Sequence, residues 1–171
     1  MNVGILTISD RAVRGEREDQ SGPVLDSMVT RRRWNVVKQD LVPDEPDRIE
    51  SVLIDWADGG QVDLILTTGG TGFGPRDHTP EATLAVCDRM APGLAEAMRA
   101  ASLQVTPHAM LSRAVAGIRG ETLIVNLPGS PRAAKENLEV ILPALPHAVS
   151  LLADESANDP GHQPPTTRHE L

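Results

Sequence analysis

The chain of 171 residues has no tyrosine, one phenylalanine and two tryptophans. Single-stranded nucleic acid is bound on aromatic stacking platforms along a basic groove, and a chain of net charge −8 with so few aromatics offers neither. We therefore expect no nucleic-acid partner. The single cysteine, Cys87, excludes an intramolecular disulfide and suits a reducing compartment; its setting in ATLAVCDRM reads as a buried helical thiol rather than a nucleophile. No apolar run approaches 18 residues, and MNVGILTISD opens directly into strand-like sequence with no basic leader region. We expect a cytoplasmic protein with no membrane partner. Cys and His at zinc spacing are missing, as are GxSxG and HExxH.

What is present points to one α/β domain. The length and 40% hydrophobic content suit a single core, and strand and helix signals alternate as in a parallel sheet covered on both faces. Strands are expected at Val3–Ile8, Asn35–Leu41, Val62–Leu66 and Thr122–Leu127. Helices are expected at Pro23–Arg33, at Asp47–Ala57 and over Pro80–Val105 with a break near Pro92-Gly93. A last helix, Ala133–Leu152, carries a break or kink at Pro143 and Pro146. Ala114–Gly117 is ambiguous. The segment from Ser9 to Gly22 is too long for a simple βα turn and is a candidate functional loop. Beyond Ala153 the sequence is polar and proline-rich, so we expect a domain over 1–153 and a disordered tail over 154–171.

The most informative stretch is TTGGTGFGPRDHTPEA, residues 67 to 82. Its glycines allow backbone N–H groups to approach an anion with no Cβ in the way, and Asp77 follows at once. Thr79-Pro80-Glu81 reads as an N-cap, a proline in the first turn and an acid near the helix N-terminus. The spelling is neither that of a GxxxxGK[ST] loop nor GxGxxG. A plain strand-to-helix turn is the alternative reading. In an open parallel sheet, ligands collect beyond the carboxyl ends of the strands. Ser9-Asp10, Pro43-Asp44-Glu45, Gly69 to Asp77 and Pro128-Gly129-Ser130-Pro131 all follow strand ends, so four loops would meet on one rim. Two carboxylates beside phosphate-binding amides suit Mg²⁺, with Asp44 and Asp77 as the candidate metal ligands, or else these acids merely serve turns and caps.

ISD (8–10), DQSG (19–22), PDE (43–45), the glycine stretch (67–82), PGLAEAMRAASL (92–103), MLSRAVAGIRG (110–120) and NLPGSP (126–131) together resemble the molybdopterin adenylyltransferases of molybdenum cofactor synthesis. The likeness extends to the matching domains of the plant cofactor protein and of gephyrin, and covers about residues 2 to 152. It implies a three-layer αβα sandwich with a mostly parallel sheet, assembled as a homotrimer. The activity implied is transfer of AMP from ATP to the terminal phosphate of molybdopterin, with Mg²⁺ required and pyrophosphate released. Hand-over of product to a molybdate-inserting enzyme goes with that role. Carried over by position, Asp44 and Asp77 match the essential aspartates. Ser102 matches a pterin-holding serine, and Gly69, Gly70, Thr71 and Gly72 match the phosphate loop. Pro128, Gly129 and Ser130 match the loop at the adenylate, with Ser9 and Asp10 lining the same crevice. A non-catalytic molybdopterin-binding protein of the same fold is the alternative.

Overall fold

The computed structural model describes residues 1–153; the segment 154–171, expected to be a disordered tail, lies outside the described residues. Strands β1 (Asn2–Ile8), β2 (Asn35–Val42), β3 (Leu64–Thr68), β4 (Arg89–Met90), β5 (Ala116–Arg119) and β6 (Thr122–Leu127) form a six-stranded sheet in the order β2-β1-β3-β6-β5-β4. The first four in that order run parallel, while β5 pairs with β6, and β4 with β5, in the antiparallel sense. The helices are α1 (Asp10–Val13), α2 (Ser21–Arg31), α3 (Pro46–Asp58), α4 (Thr79–Val86), α5 (Pro92–Leu103), α6 (Pro131–Ile141) and α7 (Leu145–Leu152), with a 3₁₀ turn at Pro107–Leu111.

The central strands are apolar on both faces because both faces are covered. Val3 and Ile5 of β1, Leu64 and Leu66 of β3, and Leu123, Val125 and Leu127 of β6 pack beneath α2, α5, α6 and α7. On the opposite face, Leu6, Ile8, Ile65 and Ile124 meet Ile49, Leu53 and Trp56 of α3 and Ala82 and Val86 of α4. Fully burying a leucine or isoleucine contributes roughly 1.5–3 kcal/mol relative to exposure, so these two layers dominate the favourable side of folding. A three-layer α/β sandwich results, as the sequence indicated.

One buried polar side chain ties the layers together. Asn126 Nδ2 donates to Thr67 Oγ1 at 3.0 Å and to Thr83 Oγ1 at 2.8 Å, and its Oδ1 accepts from the Val115 amide at 3.3 Å. Satisfied in this way, a fully buried amide costs little and fixes the register of β6 against β3 and α4.

Several boundaries differ from the sequence reading. The break expected near Pro92-Gly93 within 80–105 is there, with α5 starting at Pro92, but it is wider than expected and holds β4, because Cys87 turns extended and the amides of Asp88 and Ala91 donate to Ile118 and Ala116 carbonyls on β5. The ambiguous 114–117 segment leads into β5. The last helix breaks where its prolines indicate: α6 and α7 are divided at 142–144, which holds Pro143, and Pro146 falls in the first turn of α7, where its missing N–H has no intrahelical acceptor to lose. Helix α2 starts two residues earlier than expected, since Asp19 Oδ1 accepts from the amides of Ser21 and Gly22, each at 3.0 Å.

Candidate functional site

The carboxyl ends of β1, β2, β3 and β6 share one rim, and the loops that leave them surround a cavity of about 500 Å³. Ser9, Asp10, Asp44, Gly69, Gly70, Asp77, Gly129 and Ser130 line it, joined by Arg11, Arg14, Arg17 and Asp19 from the long 9–22 segment. The remaining expected residues are elsewhere. Thr71, Gly72, Ser102 and Pro128 line a second, more apolar cavity of about 280 Å³, together with Arg99, Val105, His108, Ser112 and Asn137. The glycine loop is thus a partition: residues 69 and 70 face one cavity, and residues 71 and 72 the other.

Local physics explains why that partition needs glycine. Gly69 has φ of +105° and Gly70 of +61°, and a Cβ on Gly69 would collide with the Ile8 carbonyl oxygen. The Gly69 amide donates to Leu127 O at 3.2 Å, and the Thr79 amide closes the loop onto Gly70 O at 3.1 Å. The expected N-cap moves by one residue. His78 occupies the cap of α4 without a side-chain hydrogen bond, while Thr79, fully buried, spends its hydroxyl on Gly69 O at 2.8 Å. Serines cap at Ser9, which accepts from the Ala12 amide at 3.2 Å, and at Ser130, which accepts from the Ala133 amide at 3.5 Å.

The acids form a connected set. The Asp10 amide donates to Asp44 Oδ2 at 2.7 Å, the Asp44 amide returns a bond to Asp10 Oδ1 at 3.0 Å, and Arg76 grips Asp10 with Nε and Nη2 at 2.9 and 3.0 Å. The Arg76 hydrogen bond holds the Asp10 carboxyl below its ordinary range. Asp44 goes the other way: burial raises it, the Asp10 amide partly offsets that, and the negative charges of Asp10 and Asp77 raise it further. Asp77 Oδ2 accepts from the Gly74 amide at 2.8 Å. The rim therefore gathers carboxylates in one another's field, facing an arginine-lined cavity.

Ser102, on α5, accepts from Asn137 Nδ2 at 3.1 Å, which leaves its own O–H proton available to a ligand of the second cavity. Sequence reasoning did not find Asn137, Ser112 or Asp19, the last of which accepts from Thr7 Oγ1 at 2.7 Å. Asn137 lies one helical turn after Ala133 on α6 and carries no motif of its own; DQSG did contain Asp19, but its signal was read as part of a loop.

A family model described as "Probable molybdopterin binding domain" matches residues 4–147, a span that takes in all four rim loops. The chain belongs to that family. Its relatives include a protein of Helicobacter pylori (strain J99) named molybdopterin adenylyltransferase, 46% identical over 154 residues, 89% of this chain and 88% of that protein. Gephyrin of Dictyostelium discoideum is 46% identical over 160 residues, 88% of this chain but 22% of that longer protein. Among solved structures, the molybdopterin biosynthesis enzyme MoaB of Thermus thermophilus superposes with a TM-score of 0.85 at 55% identity, covering 90% of this chain and 96% of that one. No helix among the described residues is long and apolar enough to cross a membrane. The rim residues sit in loops, while the sheet supplies their placement.

Proposed function

We propose that the protein is a molybdopterin adenylyltransferase. An oxygen of the terminal phosphate of molybdopterin attacks the α-phosphorus of ATP, a new P–O bond forms, the bond from that phosphorus to the β-phosphate bridging oxygen breaks, and pyrophosphate departs. Adenylated molybdopterin is the other product. The observation that carries this reading is the partition: two cavities, one polar and arginine-lined, one more apolar, meet across the single glycine loop. A two-substrate transfer needs two adjoining sites whose reacting phosphates are brought into contact where the sites meet. The names of relatives at 45–46% identity supply the substrates.

In this reading the first cavity takes the nucleotide, with Ser9, Asp10, Gly69, Gly70, Gly129 and Ser130 around its phosphates, and the second takes the pterin, with Thr71, Gly72, Ser102 and Pro128 about it. The attacking monoester is already anionic near neutral pH, so the protein's work is positioning and charge neutralisation. The donor set fits Mg²⁺: it is all oxygen, and Asp44 is held in a field of like charges that a cation would relieve. Asp44 and Asp77 would hold that ion, which when bound would neutralise charge on the phosphates. Asp10 orients Asp44 through the exchanged hydrogen bonds, and Arg76, bonded to Asp10, would assist the departing pyrophosphate.

The catalytic unit is residues 1–153, acting in the cytoplasm as a homotrimer, with product passed to a molybdate-inserting enzyme. The apolar side chains of Val105 and Met110, 63% and 67% exposed beside the second cavity, support self-association. The decisive test is incubation of the purified protein with molybdopterin, ATP and Mg²⁺, with adenylated pterin and pyrophosphate assayed in parallel. Both should appear in equal amounts. Pterin binding without either product would make this a non-catalytic pterin-binding protein.

A further inference from the structure

We propose that Arg113 is a positioning residue that clamps the glycine loop and so fixes the acid of one cavity relative to the wall of the other. This inference rests on the adenylyltransferase reading for its kinetic consequence and on geometry for the rest. Arg113 follows Ser112, which lines the second cavity, and its own amide donates to Thr71 O at 2.9 Å. From the same residue Nε donates to Gly72 O at 2.7 Å, Nη2 donates to Asp77 O, and Nη1 pairs with the carboxylate of Glu81 in the first turn of α4. One guanidinium therefore spans the loop from its second-cavity wall to the acid that lines the first.

The planar fork is essential to this span. Arginine presents its N–H donors in fixed directions, so satisfying the Gly72 carbonyl aims the other arm at Asp77 and sets the separation between them. Lysine keeps the charge but gathers its donors on one nitrogen, so it does not reproduce the fixed spacing with which Nε and Nη2 reach the two carbonyls. Without the clamp the loop keeps its outer ties, the amide of Gly69 on Leu127 O and that of Thr79 on Gly70 O, but its interior between them is released. The amides of Gly74 and Asp77, bonded to the Asp77 carboxylate and to Gly74 O, report directly on that interior.

Hydrogen exchange and kinetics on Arg113→Lys and Arg113→Ala separate the alternatives. In both variants the amides of Gly74 and Asp77 should exchange about tenfold faster or more, with β3 and β6 amides unchanged. Turnover should fall on the order of 10²-fold while the KM for ATP and for molybdopterin moves less than about threefold, the split expected when reacting groups are misplaced rather than substrates lost. Methylguanidine added to Arg113→Ala should recover part of the rate. Unchanged exchange in the loop, or acceleration spread equally through β3 and β6, overturns the clamp. So does a wild-type rate in Arg113→Lys. If the wild-type protein forms no adenylated pterin, the function reading fails by itself, and the exchange data still decide the clamp.

Discussion

Asp10 and Asp44 hold each other: each main-chain amide donates to the other's carboxylate, so the loops after β1 and β2 are bolted together. Neither acid can be judged alone. Asp44→Asn keeps an acceptor for the Asp10 amide while removing the charge, and should lower turnover by at least about 100-fold, as loss of a transition-state contact does, with pterin binding intact. Equilibrium titration with pterin beside steady-state rates checks this; an equal loss of both would mean that Asp44 only shapes the cavity.

Gly69→Ala should be severely destabilising. A side chain is strained at φ of +105°, and its Cβ meets the Ile8 carbonyl oxygen, which belongs to the sheet and has no room to retreat. We expect a loss of about 1–3 kcal/mol or more in urea denaturation. Alanine in place of Gly93, whose Cβ position is open, serves as the matched control and should leave the midpoint nearly unmoved.

The surface pair of Asp58 and Arg119 predicts a pH dependence. Arg119 Nε and Nη2 reach both carboxylate oxygens at 2.8 and 2.7 Å, joining the end of α3 to β5, and this hydrogen bonding lowers the Asp58 carboxyl from its ordinary 3.8. A depressed carboxyl stabilises the fold above its unfolded value, and that contribution fades as pH drops through the folded one. The stability gap between wild type and Asp58→Asn should therefore be constant from neutral pH down to about pH 5 and close below the ordinary value. Denaturant midpoints of the two proteins along a pH series measure it; a gap that widens on acidification would contradict the sign.

Cys87 should be a slow thiol. Burial, reinforced by the negative Asp88, pushes it up to about 11, so the thiolate is scarce at pH 8. Ellman's reagent should react with the native protein at least about tenfold more slowly than with the chain in denaturant. Equal rates would place the thiol at the surface.

Much of this was legible in the sequence, for physical reasons that differ by element. Runs such as GILTI and LIVNL mark strands covered on both sides, and the four loops announce themselves by Gly, Pro and Asp at strand ends. Arg89 and Met90 could not be foreseen, since two exposed residues have no periodicity and their strand character comes from β5. The division of the expected site between two cavities was also hidden: Thr71 and Gly72 adjoin Gly70 in sequence but turn the other way, a matter of backbone torsion rather than residue type. Arg113 stands within the MLSRAVAGIRG motif, but its hold on the glycine loop was hidden, because its carbonyl partners lie about 40 positions upstream.

The sheet order carries a consequence for biosynthesis. Strand β3 lies between β1 and β6, yet β6 ends at residue 127 and the fourth rim loop follows it. On the ribosome, β1, β2 and β3 can pair early, but β3 keeps an open edge until most of the chain has emerged. Nascent chains halted before about residue 120 should thus be the aggregation-prone species, and chaperone capture should peak there rather than at the finished protein.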